Sequence, residues 1–374
     1  MPSYFMPTRI ITGKSCVFEN KEKLIWGKRA FIVTGKSSGR LSGALPDVES
    51  ILNEAKIPYY VYDKIDNNPE ITATAEGGRV CREFNADFII AIGGGSPLDA
   101  AKAIAVYASN PVNEDFTLYD IFGGSYKNPP LPMCAIPTTA GTGSEVTPYS
   151  ILTLHKEQTK RSFSSPDVFF KTAFLDGKYT KCLPLQIARN TAVDAMCHLI
   201  EGYTNKKSSY TTDYMAIEGL KIIGKHLSTL TNGEFNEQIC EELLWASTIG
   251  GMVISQTGTT IVHSMGYQLT YFKDIPHGMA NGYLVYEYLK RVNDVCESKV
   301  NNIISALGLE NLGKFKDYVD KILPRKVIFT TNDIKEWVKT SIKAKNVSSC
   351  PFPVSEEIEY EIYKSSLLQS SIRR

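Results

Sequence analysis

Residues 87–109 read DFIIAIGGGSPLDAAKAIAVYAS. The opening DFIIAI is a short apolar run that predicts a buried strand, GGGS a tight turn, and the remainder a helix. In this reading Ser96 is the N-cap, Pro97 takes the first helical position and Asp99 the third. Gly93, Gly94 and Gly95 allow close approach to the backbone, and the helix end offers free N–H groups to an anion. The run is not GxGxxG and has no P-loop lysine. Taken alone, it is as much a tight strand-to-helix turn as a diphosphate site.

The same alternation continues on both sides. Ala30–Thr34 (AFIVT) is a strand, with a helical stretch around Leu45–Ala55. Tyr59–Tyr62 (YYVY) is a second strand, leading into a helix over Pro69–Phe84. Met133–Ile136 (MCAI) is another, and a strand pair is expected within Ser150–Leu154 and Ala173–Asp176. Strand, turn and helix in repetition predict a parallel sheet covered by helices on both faces.

Two further turns follow strands. PTTAGTGSEVT (137–147) carries Thr138, Thr139, Thr142, Ser144 and Thr147. It either caps a helix or joins GGGS in one crevice at the carboxyl edge of the sheet. In TGKSSG (34–39), Gly35, Lys36 and Ser37 stand where many dinucleotide enzymes place an acid against the adenosine ribose. A flexible surface turn is the other reading of that stretch.

From residue 185 onward the pattern is helical, with helices expected near 186–204, 210–230, 234–254, 258–271 and 277–291. A chain of 374 residues suggests two domains. The expected division is an α/β dinucleotide-binding domain over 1–184 and an all-helical domain over 185–374. The net charge of +1 argues against a nucleic-acid or polybasic membrane surface as the main business. No apolar run approaches the roughly 20 residues of a membrane span. MPSYFMPTRIITGK lacks the basic start and apolar core of a signal peptide. The eight cysteines are scattered without a CxxC pair, as expected of reduced thiols and a cytoplasmic location.

The helical half raises its own question at TAVDAMCHLIEG (191–202). Its apolar residues cover more than one face, yet Asp194 and His198 lie four apart on the same side. Burying an unpaired carboxylate costs several kcal/mol. His263 lies in the uncharged run ISQTGTTIVHSMGY and His277 in IPHGMANGY. Asp194, His198, His263 and His277 together would suit a divalent transition metal with a position open to water or substrate. A buried, hydrogen-bonded Asp/His pair would show the same spacing. The remaining histidines, His155 and His226, read as structural or exposed.

In this order MPTRIITGK, GGGSPLDAAKAIA, IPTTAGTGSEVTPYSI, DAMCHLIEGY, GTTIVHSMGY and PHGMANG resemble the iron-dependent (group III) alcohol dehydrogenase family. Within it the chain looks like an NADP-using, butanol-dehydrogenase-like member. The resemblance implies a Rossmann-like dinucleotide domain and a helical metal domain with the active site in the cleft between them. It implies hydride transfer between short primary alcohols or aldehydes and NADP(H), with NAD(H) the lesser alternative. It makes Asp194, His198, His263 and His277 the metal ligands, for Fe²⁺ foremost and Zn²⁺ alternatively.

The same resemblance puts Gly94, Gly95, Ser96 and Asp99 beside the diphosphate and nicotinamide ribose. Thr138, Thr139, Thr142 and Thr147 would line the adenine and nicotinamide side, Lys160 would reach the ribose, and Gly35, Lys36 and Ser37 would meet the adenosine ribose. It also suggests a homodimer. One departure stands out: where some members carry a further histidine, this chain has Tyr267. A metal-dependent lyase like dehydroquinate synthase is the rival, but GGMVISQTGTTIV offers no basic groups for its phosphorylated substrate.

Overall fold

The computed structural model describes residues 4–325 and 327–368. Its contacts form two compact units. One holds Met6–Leu183 and Asn236–Leu244; the other holds Pro184–Phe235 and the described residues from Trp245 onward, with Tyr4 and Phe5. The helix Glu237–Thr257 therefore gives its first turns to the former unit and the rest to the latter.

The first unit is built on eight strands: β1 (Arg9–Thr12), β2 (Ala30–Gly35), β3 (Tyr59–Ile65), β4 (Phe88–Gly93), β5 (Met133–Pro137), β6 (Tyr149–Leu154), β7 (Thr159–Ser164) and β8 (Thr172–Leu175). Six of them form one parallel sheet in the order β1-β8-β5-β4-β2-β3. β2, β4 and β5 are buried along nearly their whole length, which is why they read as continuous apolar runs rather than alternating ones. Side chains alternate between two cores. Phe31, Val33, Ile89, Ala91 and Ala135 enter one; Ala30, Ile32, Phe88, Ile90, Ile92 and Ile136 enter the other. The chain runs outward from β2 to β3, then returns to β4 on the opposite side of β2. That reversal makes the carboxyl ends of β2 and β4 a topological switch point, the usual place for a ligand in an open α/β sheet.

Two local expectations are corrected. Ser150–Leu154 does not pair with Ala173–Asp176. β6 instead folds back on β7 as an antiparallel pair, and β8 joins the main sheet between β5 and β1. A short turn at His155–Glu157, closed by Gln158 at φ +50°, makes the fold-back possible. Ser96 is not an N-cap: the helix runs Gly95–Ser109 with Gly94 at the cap, and Ser96 lies inside the first turn. Gly93 at φ +147° supplies the sharp exit from β4 that lets the helix start this early.

The second unit contains helices and no strand among the described residues. Leu185–Thr204 packs against His277–Ala306, which is broken only by non-helical backbone at Cys296. The stretch expected as one helix over 210–230 is divided at His226 into Tyr210–Lys225 and Leu227–Asn232. Buried Trp337 packs its ring against Tyr363 of the last helix, Glu356–Leu367, with centroids 5.7 Å apart.

That last helix carries a pH-sensitive group. Glu359 is fully buried, takes a hydrogen bond from the Ser341 hydroxyl, and is pushed by burial from an ordinary 4.5 up to about 7. Its raised value means the folded chain keeps Glu359 neutral above the ordinary range, where the unfolded chain ionises, so stability falls as pH rises from about 4.5 to about 7. The difference corresponds to about 3 kcal/mol. Glu359→Gln is expected to flatten this slope, seen as a smaller gap between melting temperatures at pH 5 and pH 8. An unchanged gap would mean that Glu359 is ionised in the folded chain.

Candidate metal centre and nucleotide turns

Asp194 sits in the middle of Leu185–Thr204 and is buried. His263 comes from the first turn of Ile261–Lys273, and His277 opens His277–Ala306 directly after Pro276. One ligand atom from each of these three side chains lies within 4.8 Å of the others. His263 Nε2 and His277 Nε2 are each 3.7 Å from Asp194 Oδ1. His198, one turn beyond Asp194, falls outside that set of three. Its ring instead stacks on His263, with centroids 4.5 Å apart. Tyr267 stacks on His277 from the other side at 5.4 Å.

Two polar side chains that the sequence did not single out surround the cluster. Asn281, fully buried, donates its amide to Asp194 Oδ1 at 2.9 Å. Glu201, also fully buried, accepts from Thr260 N at 2.8 Å and Thr260 Oγ1 at 2.7 Å, and its other oxygen meets His263 Nδ1. Burial works against the Glu201 charge, but His263 and the Thr260 donors hold it below the ordinary carboxylate range. Burial likewise opposes ionisation of Asp194, and the surrounding imidazoles, His198 first, hold its carboxyl well below that range. Burial would lower His263, but Glu201 and Asp194 together raise it to about 10.

These residues fit a divalent cation. His263 Nε2 is buried with no hydrogen-bond partner, although its other nitrogen is well satisfied. An orphaned buried nitrogen facing a carboxylate is costly unless something bridges the two. Imidazole nitrogens with one carboxylate oxygen form a donor set of borderline softness, suited to Fe²⁺ or Zn²⁺. Two buried carboxylates, Asp194 and Glu201, also match the charge of a divalent ion.

In the α/β unit the glycine turn and the threonine turn touch. A Cβ on Gly94 would lie 2.9 Å from Thr139 Oγ1, and one on Gly95 would lie 2.7 Å from Thr142 Cγ2. Thr138 N donates to Gly93 O at 2.9 Å. Ser96 and Lys160 are joined through Asn68, absent from the sequence reading. Asn68 N donates to Ser96 Oγ at 3.1 Å, and Asn68 Oδ1 accepts from Lys160 Nζ at 2.9 Å.

Asp99 and Thr147 face the protein. Asp99 accepts from Ser144 Oγ at 2.6 Å and Ile151 N at 3.0 Å. Thr147 Oγ1 accepts from Lys102 Nζ at 3.3 Å. Lys102 is fully buried and also reaches Ser144 Oγ and Tyr149 O, tying the threonine turn to the helix after GGGS. Burial brings this lysine down to about 8, against the opposing pull of Asp99 and Glu145. A lone lysine among alanines in DAAKAIA was the available signal.

At the end of β2, Gly35 is in register with Ile65. Lys36 Nζ lies 2.7 Å from Asp66 Oδ1, with both side chains about 70% exposed. Ser37 begins the short helical turn that follows.

Residues 7–177 match the family model described as iron-containing alcohol dehydrogenase, and residues 188–366 match the C-terminal model of the same family. The chain is 32% identical to lactaldehyde reductase of Escherichia coli K12 over 283 residues, 76% of this chain and 73% of that one. It is 31% identical to the NADPH-dependent butanol dehydrogenase of Clostridium saccharobutylicum, again covering 76% and 73%. An iron-containing alcohol dehydrogenase from Thermotoga maritima superposes with a TM-score of 0.90 at 36% identity, covering 98% of this chain and 99% of that one. With both family models matched in sequence order, and with a parallel-sheet unit and a helical unit beneath them, the chain belongs to the iron-containing alcohol dehydrogenase family.

Proposed function

We propose that this chain interconverts short primary alcohols and aldehydes by hydride exchange with NADP(H). In this reading Asp194, His198, His263 and His277 hold a divalent metal, Fe²⁺ foremost. The observation that carries it is the cluster of buried Asp194 and His263 with half-buried His277, with His263 Nε2 left for a ligand. When bound there, such a metal supplies Lewis acidity toward a substrate oxygen. Asn281 and Glu201 hold two of the ligand side chains in place. Gly94, Gly95, Ser96, Thr138, Thr139 and Thr142, at the turns after β4 and β5, take the cofactor together with Lys160 of β7, with Asp99 and Thr147 braced behind them. The apolar face Ile249–Ile261 favours small, weakly polar substrates. The test is a panel of aldehydes assayed with NADPH and NADH, alongside the metal content of the same sample. Turnover confined to charged or phosphorylated substrates would contradict the reading.

The cofactor preference rests on the end of β2. Gly35 offers no carboxylate to repel a 2′-phosphate, and Ser37 and Lys36 are donors. The Lys36–Asp66 pair is so exposed that it contributes little and yields to a phosphate. One charge-assisted hydrogen bond contributes about 1.5–3 kcal/mol, roughly a ten- to hundredfold preference for NADP(H). Gly35→Asp is expected to reverse it. A Cβ there meets Ser38 Oγ at 3.0 Å, a side-chain end that can rotate away. The ratio of kcat/KM values for the two cofactors in both proteins decides. A wild type that prefers NADH would place Lys36 in solvent.

The homodimer is proposed through β1. This is an edge strand, and among the described residues no strand pairs with its outer side. Light scattering that returned a monomer mass would dismiss it.

A further inference from the structure

We propose that Glu201 is a positioning residue for the metal centre: it fixes the His263 imidazole with the proton on Nδ1 and so leaves Nε2 as a bare donor. The inference rests on the metal reading above. Glu201 lies seven residues after Asp194 on the same helix, two turns along the same face. It is fully buried, and both its oxygens are committed. Oε1 accepts from Thr260 N, from Thr260 Oγ1 and, at 3.4 Å, from His263 N. Oε2 is left to His263 Nδ1. An ionised carboxylate only accepts, so the proton in that contact belongs to Nδ1. The remaining ring nitrogen, Nε2, is then the one whose proton a bound cation would displace. It is also the nitrogen that is buried without a hydrogen-bond partner and faces Asp194 Oδ1 at 3.7 Å. Histidine ligands to metals are commonly set by such an outer carboxylate, which selects the tautomer and fixes the ring plane.

Glutamine at 201 tests the idea because it keeps the shape and inverts one contact. Its single oxygen stays with the three donors at Thr260 and His263 N, so its NH₂ turns toward Nδ1. The imidazole must then accept at Nδ1 and carry its proton on Nε2, where it blocks the metal.

The experiment measures the Zn²⁺ dissociation constant of the apoprotein by competition with a chelating dye, for wild type and Glu201→Gln, together with the melting temperature of each apo form. The expected result is Zn²⁺ binding weakened about 10- to 100-fold by the substitution. Thr260→Val, which removes one donor to Oε1 and leaves the His263 contact, is expected to bind Zn²⁺ as wild type does. A lowered apo melting temperature with an unchanged Zn²⁺ constant in Glu201→Gln would reduce Glu201 to a structural brace and overturn the proposal. A wild type that takes up no Zn²⁺ or Fe²⁺ would instead overturn the metal reading itself. Should Glu201→Gln fail to fold, nitrogen NMR of wild type labelled at its five histidines gives the answer without a variant. The His263 signals are assigned by their loss in His263→Ala. Zn²⁺-loaded protein should show the proton on Nδ1 and none on Nε2; the reverse would overturn the proposal.

Discussion

His263→Ala is expected to abolish turnover while leaving NADPH binding close to wild type. Losing a Lewis acid worth several kcal/mol at the transition state corresponds to a rate loss on the order of a thousandfold. The loss begins with retention, because the cluster of Asp194, His263 and His277 is reduced to two side chains. Nucleotide binding should survive, since Gly94, Ser96, Thr138 and Lys160 belong to the other compact unit. The substitution also leaves the Glu201 carboxylate buried without its imidazole, a change that typically costs about 3–5 kcal/mol. Assays therefore run below the variant's own melting temperature. Metal content, NADPH fluorescence titration and turnover on one sample separate these effects. Full activity in a chelated His263→Ala protein would end the assignment. His198→Ala is expected to follow the same pattern. Retention of metal at wild-type stoichiometry would instead remove His198 from the ligand set and leave it as the ring stacked on His263.

Gly278→Ala is expected to be as damaging as loss of a ligand, although a single methyl group is all that is added. A Cβ at Gly278 would lie 1.9 Å from Asn190 O and 2.9 Å from Asp194 Cβ. Neither neighbour is the free end of a flexible chain, so the first turn of His277–Ala306 must move away from Leu185–Thr204. Overpacking of this kind costs about 1–3 kcal/mol and sometimes more. The displacement falls directly on His277 and on the helix that carries Asp194, so metal affinity should fall together with stability. Gly282→Ala is the control on the same face. Its Cβ would meet side-chain atoms only, Leu323 Cδ1 at 2.4 Å and Val193 Cγ1 at 2.7 Å. It should lower the melting temperature while sparing metal content. If Gly278→Ala keeps wild-type metal content and melting temperature, the two helices are not packed as tightly as described.

The sequence by itself determined the parallel sheet, because strands buried on both faces must be apolar at every position: AFIVT, FIIAI and MCAI carry no other reading that fits their length. It also determined the helical texture after residue 184 and pointed to Asp194, His198, His263 and His277, since a charge or an imidazole in an apolar helix has to be compensated. Contacts made across long sequence separation were decided only in the folded chain. Glu201 looks like any acid near a helix end until Thr260 and His263, 59 and 62 positions away, close on it. Asn68 reads as a loop residue until Ser96 and Lys160 reach it from 28 and 92 positions off. Asp99 and Thr147 carry ligand-like side chains, and only the position of Lys102 and Ser144 turns them toward the protein. The partner of Ser150–Leu154, the antiparallel strand Thr159–Ser164, is hidden from the sequence for the same reason. Apolar alternation specifies that a segment is a strand, whereas register and neighbour depend on the turn that follows and on which edge is open. Burial preferences act residue by residue and are written in the chain; hydrogen-bond partners are pairwise, and the second member of each pair is supplied by the fold.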